Sequence, residues 1–508
     1  MRSCSRRTFL SDLSSLSGLS AALVGLRPKS GRRIEGGFVH ESHPIGHRLR
    51  DGGAFLAPRQ TRQAPVVIVG GGIAGLSAAW RLDARGLHDF AVIEMESRPG
   101  GNARWGENTA TAFPWGAHYV PVPLSAGLVR ELFTDLGVFD GQQWDERHLV
   151  HAPKERLFIH GRWQEGLEPQ VGPTRRDRDQ MERFEERVQT LRASGRFTIP
   201  MAAGIEQSKR PDEDTLSMAA WLDREGLDSP WLRWIVDYAC RDDYGALSRD
   251  VSAWAGLHYF AARESEQGPL TWPEGNGWIV RRLLDRLGAR VHPGQPAYRI
   301  ERRGRGWRVL TPEVEWTADV VIVAAPLLVA ARIVDGAPRA DIEYSPWFVA
   351  NLTLDRWPRE RGLSVAWDNV LFDSRSLGYV VATHQRLQQH VPRTVWTCYW
   401  PLAYAPPTAA RRWLLAQDWT TLRDQVLDDL TRAHPDIREC VTRVDILRLG
   451  HAMTRPTPGF LARSTHRAPP RERLFYAHSD LSGLPLFEEA HSRGVMAADH
   501  ALRALGRG

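Results

Sequence analysis

Cysteine and long apolar runs are both scarce in this chain of 508 residues. The four cysteines contain no C-x-x-C pair and no Cys/His spacing typical of a metal site, so we predict no metal centre. We expect Cys240, Cys398 and Cys440 to be buried apolar fillers, with a single disulfide as the alternative. No apolar run of about 18 residues follows the N-terminal segment, which argues against an internal transmembrane helix.

Lysine is almost absent, since only Lys29, Lys154 and Lys209 contribute to the 66 basic residues. The net charge of +6 is modest for this length, and the basic pairs are short and scattered. No basic stripe interleaved with aromatic residues is present, so the pattern indicates a solvated surface and no nucleic-acid partner. The length predicts two or three lobes, and the apolar fraction of 42% is sufficient for a real core.

The N-terminus carries a pattern typical of export signals. Residues 5–10, SRRTFL, resemble the twin-arginine motif, and a weakly apolar stretch rich in Ser and Gly follows to residue 26. We therefore predict a twin-arginine signal over 1–26, the twin-arginine export machinery as a partner, and a periplasmic or exported location. Peripheral membrane contact through an uncleaved signal and a disordered basic tail are the alternatives. Residues 27–62 are interpreted as a linker.

The stretch VVIVGGGIAGLSAAWRL, residues 66–82, is typical of a dinucleotide-binding turn. Residues 66–69 predict a strand buried on both faces, and residues 74–82 predict a helix. Gly70, Gly72 and Gly75 fit G-x-G-x-x-G, in which the glycines permit the turn, the approach of a diphosphate and close helix packing. Glu94 lies at the end of a second predicted strand, where an acid binds the ribose 2′-OH. The acid favours FAD or NAD over NADP.

Further segments make the match specific. SRPGGNARWG (97–106) follows Glu94, and together with the first turn it resembles the flavin amine oxidase, protoporphyrinogen oxidase and phytoene desaturase superfamily. GAHYV (116–120), residues 288–326 and residues 474–502 resemble, in the same order, the segments that pass the flavin ring, complete the cofactor site and close over the flavin. The resemblance spans 66–502, although the stretches between these segments match poorly.

The resemblance implies a bound FAD and a set of residues that hold it. One of these residues, Glu488, has an alternative interpretation as a charge at a helix terminus. The implied cofactor residues are Gly70, Gly72, Ile73, Ala74, Gly75, Glu94, Met95, Arg98, Gly100, Gly101, Asn102, Ala103, Arg104, Gly116, Ala117, Ala297, Ala325, Asp480, Glu488 and Ala490.

The resemblance also implies the fold class, which is α/β. A discontinuous Rossmann-like FAD-binding lobe would comprise 63–125, 285–345 and 470–508. An α+β substrate lobe would comprise 126–284 and 346–469, with a mixed sheet floor and helices. The sequence itself predicts helices over 181–194, 217–227 and 410–434 and strands over 347–355, 377–384 and 393–400.

Candidate catalytic residues come from segments expected beside the flavin: His118, Tyr119, Asn351 and His451. A histidine with a pKa near 6.5 is suited to accept a proton, although a core histidine is the alternative at 118. Many amine oxidases of the superfamily use a lysine to hold a water molecule at the flavin. The matching segment, residues 344–355, contains no lysine, so Asn351 is the candidate for that role.

The leading hypothesis is an FAD-dependent oxidoreductase of the amine oxidase type. It transfers a hydride from an amine or related small molecule to flavin N5, and O2 or a quinone serves as electron acceptor. One alternative is a desaturase or isomerase of a hydrophobic substrate, and another is a non-catalytic flavoprotein partner. Six tryptophans lie in the first insert, at positions 221, 231, 234, 254, 272 and 278. We interpret them as core residues, with an ammonium cage as the alternative.

Overall fold

The computed structural model describes residues 32–40, 42–123, 126–204, 211–263, 268–337, 341–360, 362–386, 391–464 and 471–507. The predicted export signal over 1–26 lies outside these ranges. Within them, the strands are β1 (Glu35–Phe38), β2 (Gln60–Val69), β3 (Phe90–Ile93), β4 (Trp105–Glu107), β5 (Ala112–Pro114), β6 (Tyr119–Val120), β7 (Glu155–Ile159), β8 (Arg162–Glu165), β9 (Leu270–Thr271), β10 (Val291–His292), β11 (Arg299–Arg303), β12 (Gly306–Leu310), β13 (Val314–Val323), β14 (Glu343–Leu354), β15 (Asp368–Leu371), β16 (Tyr379–Val381), β17 (Thr394–Pro401), β18 (Val441–Arg455) and β19 (Leu474–Tyr476).

The α-helices of the described residues are α1 (His43–Arg50), α2 (Ile73–Ala84), α3 (Leu128–Asp135), α4 (Arg175–Ala193), α5 (Met218–Arg224), α6 (Pro230–Tyr244), α7 (Ala253–Ala261), α8 (Gly277–Leu287), α9 (Leu327–Ile333), α10 (Pro407–Ala416), α11 (Trp419–Thr431), α12 (Ile437–Cys440), α13 (Phe460–Ser464) and α14 (Phe487–Ala504).

The first sheet is the Rossmann-like one. Its strand order is β10-β3-β2-β13-β12-β11, and β19 also pairs with β13. Strands β3, β2, β13 and β19 run parallel, and the predicted strand at 66–69 is the buried C-terminal half of β2. Helices α2, α8 and α14 pack on one face of this sheet, and α9 covers part of the other. The α/β class is confirmed.

The second sheet forms the floor that the sequence predicted for the substrate lobe. Its order is β1-β18-β14-β17-β16-β15-β7-β8, and it contains both parallel and antiparallel pairs. Helices α10, α11 and α12 cover one face. On the opposite face, Tyr399 of β17 and Trp367, just before β15, form an apolar cluster with Tyr238 of α6. Phe113 and Trp115 of the first lobe complete this cluster. The candidate site therefore lies where the floor meets the Rossmann-like lobe.

Helices α4 to α7 form a third layer with a core of its own. Trp221 and Trp254 are buried there, whereas Trp272 and Trp278 stack within the core of the first lobe. Trp231 and Trp234 pack against Phe372 on the floor sheet. The six tryptophans thus lie in three separate clusters, as the core interpretation expects.

The linker predicted for 27–62 is not a linker where the structure describes it. Residues 35–38 form strand β1, which pairs in parallel with β18 at the edge of the floor sheet. Helix α1 follows, and β2 already begins at Gln60. The prediction was wrong because β1 takes its hydrogen bonds from β18, which lies about 400 residues further along the chain.

Two boundaries of the predicted lobes also differ. Helix α3 and most of helix α8 fall within 126–284, the segment assigned to the substrate lobe. Both contribute buried residues to the core around α2 and α14, so they belong to the first lobe by packing. The single helical segment predicted over 410–434 is divided into α10 and α11.

Two smaller expectations concern cysteines and apolar helices. Cys240, Cys398 and Cys440 are buried free thiols. This agrees with the interpretation as apolar fillers. None of the helices in the described ranges is both long enough and apolar enough to span a bilayer.

Candidate functional site: a dinucleotide cradle beside an aromatic box

The geometry of the turn between β2 and α2 shows why glycine occupies positions 70, 72 and 75. Gly70 has φ +111°, a conformation that favours glycine. A Cβ at Gly75 would lie 1.9 Å from the Gly70 carbonyl oxygen, so Gly75 permits the helix to pack on the turn. A Cβ at Gly72 would meet only the Gly101 Cα, at 3.8 Å. Gly72 therefore faces open space rather than a neighbouring element.

A second glycine loop lies against this turn. The Gly100 N–H donates to the Gly71 carbonyl at 2.8 Å, and Gly101 has φ +57° and faces Gly72. No side chain caps the N-terminus of α2, and its first turn contains no acid. The two loops and the helix end form a cradle of backbone, and a helix N-terminus favours an anion.

Arg104 adds a cation behind the cradle. Its Nε donates to the Gly101 carbonyl at 2.9 Å, and its Nη1 lies 3.4 Å from Glu96 Oε1. Nη1 is buried and has no hydrogen-bond partner among the described residues. An open glycine face, an uncapped helix end and a buried guanidinium N–H without a hydrogen bond are the donor set that a diphosphate requires. The residues fit the diphosphate of FAD.

Glu94 directly follows β3, beside the same turn. Its Oε2 accepts the Gly71 N–H at 2.6 Å and its Oε1 accepts the Glu96 N–H at 2.8 Å. Burial raises the pKa of this carboxyl, while the two N–H donors favour its ionised form. Each oxygen keeps a second lone pair, so the acid can still accept from a ribose hydroxyl.

A cavity of about 570 Å³ lies just beyond Glu94, where the adenosine end of a dinucleotide is expected. Met95 and Pro296 line it from the first lobe, and His40 and Ser42 line it from the segment before α1. The Ser42 hydroxyl donates to Glu96, which holds that segment in place. Ala297 follows Pro296 and is partly buried against the sheet, while Arg98 is exposed.

The GAHYV segment approaches the cradle from its other side. A Cβ at Gly116 would lie 2.2 Å from the Asn102 carbonyl oxygen, which accepts the Ala117 N–H at 2.8 Å. The Asn102 side chain donates to the Ala452 carbonyl at 2.6 Å, and Ala103 is buried in the core. These contacts place residues 118 and 119 immediately beside the cradle.

His118 lies in a group of rings that we call the aromatic box, made of His118, Tyr119, Trp367 and Tyr399. The His118 ring stacks on Tyr399 with 4.8 Å between centroids, and it lies 5.1 Å from Tyr119 and 5.4 Å from Trp367. Burial lowers the pKa of His118 to about 4, so the imidazole is neutral at pH 7. The four rings of the box therefore carry no positive charge at pH 7, although the Arg263 guanidinium acts on Tyr119 from outside the box.

Buried carboxyl groups surround the box. Asp243 forms an ion pair with Arg263 at 2.6 Å, and the Tyr238 hydroxyl donates to Asp368. Asp242 interacts electrostatically with Tyr119, Tyr238 and Tyr259, and burial raises its pKa above the usual range. The region is therefore rich in acidic groups that are costly to ionise without a cation.

Asn351 and His451 have other surroundings. Asn351 is buried; its Nδ2 donates to the Pro114 carbonyl at 3.0 Å and its Oδ1 accepts from the Thr397 hydroxyl at 2.6 Å. These bonds tie the floor sheet to β5. The His451 ring contacts Tyr344 at 5.8 Å, and burial and the Arg411 charge lower its pKa to about 4. The structure does not bring it into the aromatic box.

Asp480 is fully engaged by protein groups. Its carboxylate accepts from the Leu327 N–H at 2.9 Å, from the Tyr344 hydroxyl at 2.5 Å and from the Thr454 hydroxyl at 2.6 Å. These donors, together with the adjacent His478, hold the pKa of Asp480 well below its usual value. Its contacts therefore join α9 to the floor sheet.

The remaining predicted cofactor residues surround the cradle. Ala325 follows the residue that a Cβ at Gly70 would touch, and Ala74 in α2 packs against Gly494 of α14. Glu488 and Ala490 begin α14, and burial raises the pKa of Glu488 to about 7. Its nearest charged partners include Arg263 and Asp243, so it links the cofactor segment to the acidic region.

Sequence reasoning missed Asp242, Asp368 and Trp367. They lie in the poorly matching inserts, and only the packing of α6 on the floor sheet brings them together. One signal was available: CRDDY places two adjacent acids in the last turn of a predominantly buried helix. Acidic side chains at the C-terminal end of a helix interact unfavourably with the helix dipole. Their presence there therefore indicates a functional role.

The fold and the site together define a flavin-binding protein. The family described as flavin containing amine oxidoreductase matches residues 73–502, and the chain belongs to this family.

Relatives agree with this assignment. The chain is 29% identical over 295 residues to a protein of Mycobacterium tuberculosis named flavin-containing monoamine oxidase AofH; this covers 55% of the chain and 59% of that relative. The chain thus spans little more than half the length of this relative.

Solved structures show the same fold. Putrescine oxidase bound to putrescine has a TM-score of 0.68 at 18% identity and covers 87% of this chain and 100% of its own. A fatty acid isomerase from P. acnes has a TM-score of 0.62 at 16% identity, with 86% and 98% covered.

Proposed function

We propose that this enzyme oxidises a primary or secondary amine, with O2 or a quinone as the final electron acceptor. The observation that carries the proposal is a box of rings bordered by buried carboxyl groups, directly beside the dinucleotide cradle. Rings and carboxylates together recognise ammonium groups. FAD held in the cradle would supply the acceptor for the hydride that leaves the substrate carbon.

The residues of this chain have distinct tasks in that reaction. Gly72, Gly101 and Arg104 would hold the diphosphate, and Glu94 would bind the ribose. Neutral His118 and the other rings of the box exclude water and position the carbon that is oxidised. Because burial keeps His118 uncharged at pH 7, it adds no positive charge that would repel an arriving ammonium group.

The hydrophobic-substrate alternative fits this site less well. A fatty acid would bring its carboxylate into a region that already contains Asp242, Asp243 and Asp368. Like charges in a buried site repel strongly, and only Arg263 forms an ion pair with one of these acids among the described residues. The isomerase fold is shared, but the charge of the site favours a cation.

The test is anaerobic titration of the purified yellow protein with a panel of aliphatic and aromatic amines. We expect bleaching of the flavin absorbance by at least one amine, and hydrogen peroxide or a reduced quinone when an acceptor is added. A protein that retains FAD but is reduced by no amine, and that instead shifts a double bond in a hydrophobic substrate, would contradict the proposal.

We further propose that the enzyme is exported through the twin-arginine route, on the support of SRRTFL at 5–10. The route carries folded proteins, which suits a chain that binds FAD. A fusion of residues 1–40 to a folded reporter should reach the periplasm. Replacing Arg6 and Arg7 by lysine should retain it in the cytoplasm; export of this double variant would contradict the proposal.

A further inference from the structure

The segment before β2 is an addition to the part of the chain that the family matches. We call residues 34–40 and 42–50 the N-terminal strap, and the family match begins only at residue 73. The first half of the strap belongs to the floor sheet. Strand β1 pairs with β18, and the Val39 N–H continues the ladder by donating to the Ile446 carbonyl at 3.0 Å. This half is therefore held by a row of backbone hydrogen bonds.

The second half of the strap is attached to the Rossmann-like lobe by fewer contacts. The Ser42 hydroxyl donates to Glu96. Leu49 in α1 packs against the core of the first sheet, and Arg332 of α9 donates to the Arg50 carbonyl at 3.3 Å. The strap thus crosses from one lobe to the other, and its attachment to the first lobe depends on side chains rather than on a backbone ladder.

Between its two attachments the strap forms one wall of the cavity beyond Glu94. Four residues of the strap line this cavity of about 570 Å³: His40, Ser42, Pro44 and Ile45. The other lining residues belong to the first lobe. The volume is in the range that holds small ligands. A ligand in this cavity is therefore enclosed between the strap and the first lobe.

His40 has a constrained backbone at the point where the strap leaves the floor sheet. Its φ of +53° lies in the left-handed region, which is uncommon for residues other than glycine. Its ring meets the edge of Trp115 with 5.8 Å between centroids. Backbone strain of this kind is concentrated where proteins hold a ligand. The strained residue lines the cavity itself, so the cavity wall is a maintained feature of the strap.

We propose that the N-terminal strap is an additional wall of the cofactor site, which encloses the adenosine half of FAD and must leave Glu96 before the cofactor can dissociate. The inference depends on FAD binding and not on the identity of the substrate. Because β1 is held by backbone hydrogen bonds, the half that opens is the one attached through Ser42 and Leu49. By linkage, the closed strap and the bound cofactor must stabilise each other.

The first experiment weakens the strap at a residue that does not line the cavity. Leu49→Ser removes apolar contact between α1 and the first sheet and leaves the lining residues unchanged. The rate of FAD release is measured by the recovery of flavin fluorescence after large dilution of the FAD-loaded protein. L191S is the matched control, since Leu191 is a partly buried leucine of α4 on the core of the third layer.

We expect L49S to release FAD at least about fivefold faster than wild type, because the lost leucine contact favours the open strap. L191S should release FAD at the wild-type rate. An unchanged rate in a folded L49S protein overturns the inference. Equal acceleration in both variants overturns it too, because a general loss of stability then explains the release.

A second measurement needs no variant. Arg48 and Arg50 are exposed sites for trypsin in the strap, and Arg187 is an exposed site on α4. FAD should slow cleavage of the strap at least about fivefold relative to the FAD-free protein, because cleavage requires local opening, while cleavage at Arg187 changes less. No protection of the strap, or equal protection at Arg187, overturns the inference. Neither measurement uses an amine, so failure of the proposed amine oxidation leaves both outcomes unaffected.

Discussion

Replacing Gly72 by alanine should separate cofactor binding from folding. The new Cβ would meet only the Gly101 Cα, at 3.8 Å, and the backbone at Gly72 (φ −77°, ψ −176°) is ordinary for any residue. We therefore expect the free energy of unfolding of FAD-free G72A to lie within about 0.5 kcal/mol of wild type. The methyl group nevertheless occupies the open side of the cradle, where a diphosphate must approach the backbone.

The affinity for FAD should fall by an amount set by the lost contacts. One charge-assisted hydrogen bond between an N–H and a phosphate oxygen is worth about 1.5–3 kcal/mol, which corresponds to about 10- to 150-fold in Kd. The measurement is a fluorescence titration of FAD into the FAD-free protein, together with urea unfolding of the same sample. Wild-type affinity in G72A would refute the assignment of this face to the diphosphate.

Gly75 provides the contrast. Its Cβ would lie 1.9 Å from the Gly70 carbonyl oxygen, so α2 must move away from the turn. G75A should lose about 1–3 kcal/mol of stability even without FAD. G46A is the control, since nothing lies within 4 Å of its Cβ and alanine favours helix α1 by up to about 1 kcal/mol. Equal destabilisation of G72A and G75A would show that both glycines serve packing alone.

Three further outcomes follow from the same geometry. N351A should lower the free energy of unfolding by about 1–3 kcal/mol, measured with a denaturant, because two buried hydrogen bonds are broken. If N351A were as stable as wild type but its flavin could not be reduced, Asn351 would instead act directly on the substrate. S42A should release FAD about two- to tenfold faster, since its bond to Glu96 holds the segment that lines the adenosine cavity; an unchanged release rate contradicts this. Burial lowers the pKa of His258 and of His491 to about 4, whereas the unfolded chain binds these protons near pH 6.5. Stability should therefore be complete above about pH 6.5 and fall as the pH drops toward 4, by up to roughly 3 kcal/mol per histidine, and a flat profile of urea midpoints would disprove it.

Local sequence was sufficient for the cradle. The buried strand, the glycine turn and the helix of residues 66–82 appear where they were predicted, since each depends on neighbours within a few residues. Glu94 directly follows β3 for the same reason. The superfamily resemblance extended this to the α/β class and to FAD.

The surroundings of the candidate catalytic residues could not be predicted from local sequence in the same way. Asn351 was a candidate to hold water, but the register of β14 against β17 places its amide between Thr397 and Pro114. His451 lies on the strand beside Tyr344, outside the aromatic box. Strand register and lobe packing, which no short motif encodes, decided both positions.

Sequence by itself determined that this chain binds a dinucleotide, because turn conformation, helix ends and the absence of side chains at glycine are local properties. Only the tertiary structure decided which groups meet the substrate. Asp242, Trp367 and Tyr399 come from an α-helix, a loop before β15 and strand β17, and they converge because burying apolar surface packs α6 onto the floor sheet. Convergence of this kind depends on the whole core, so the sequence shows the acids but not the box that they surround.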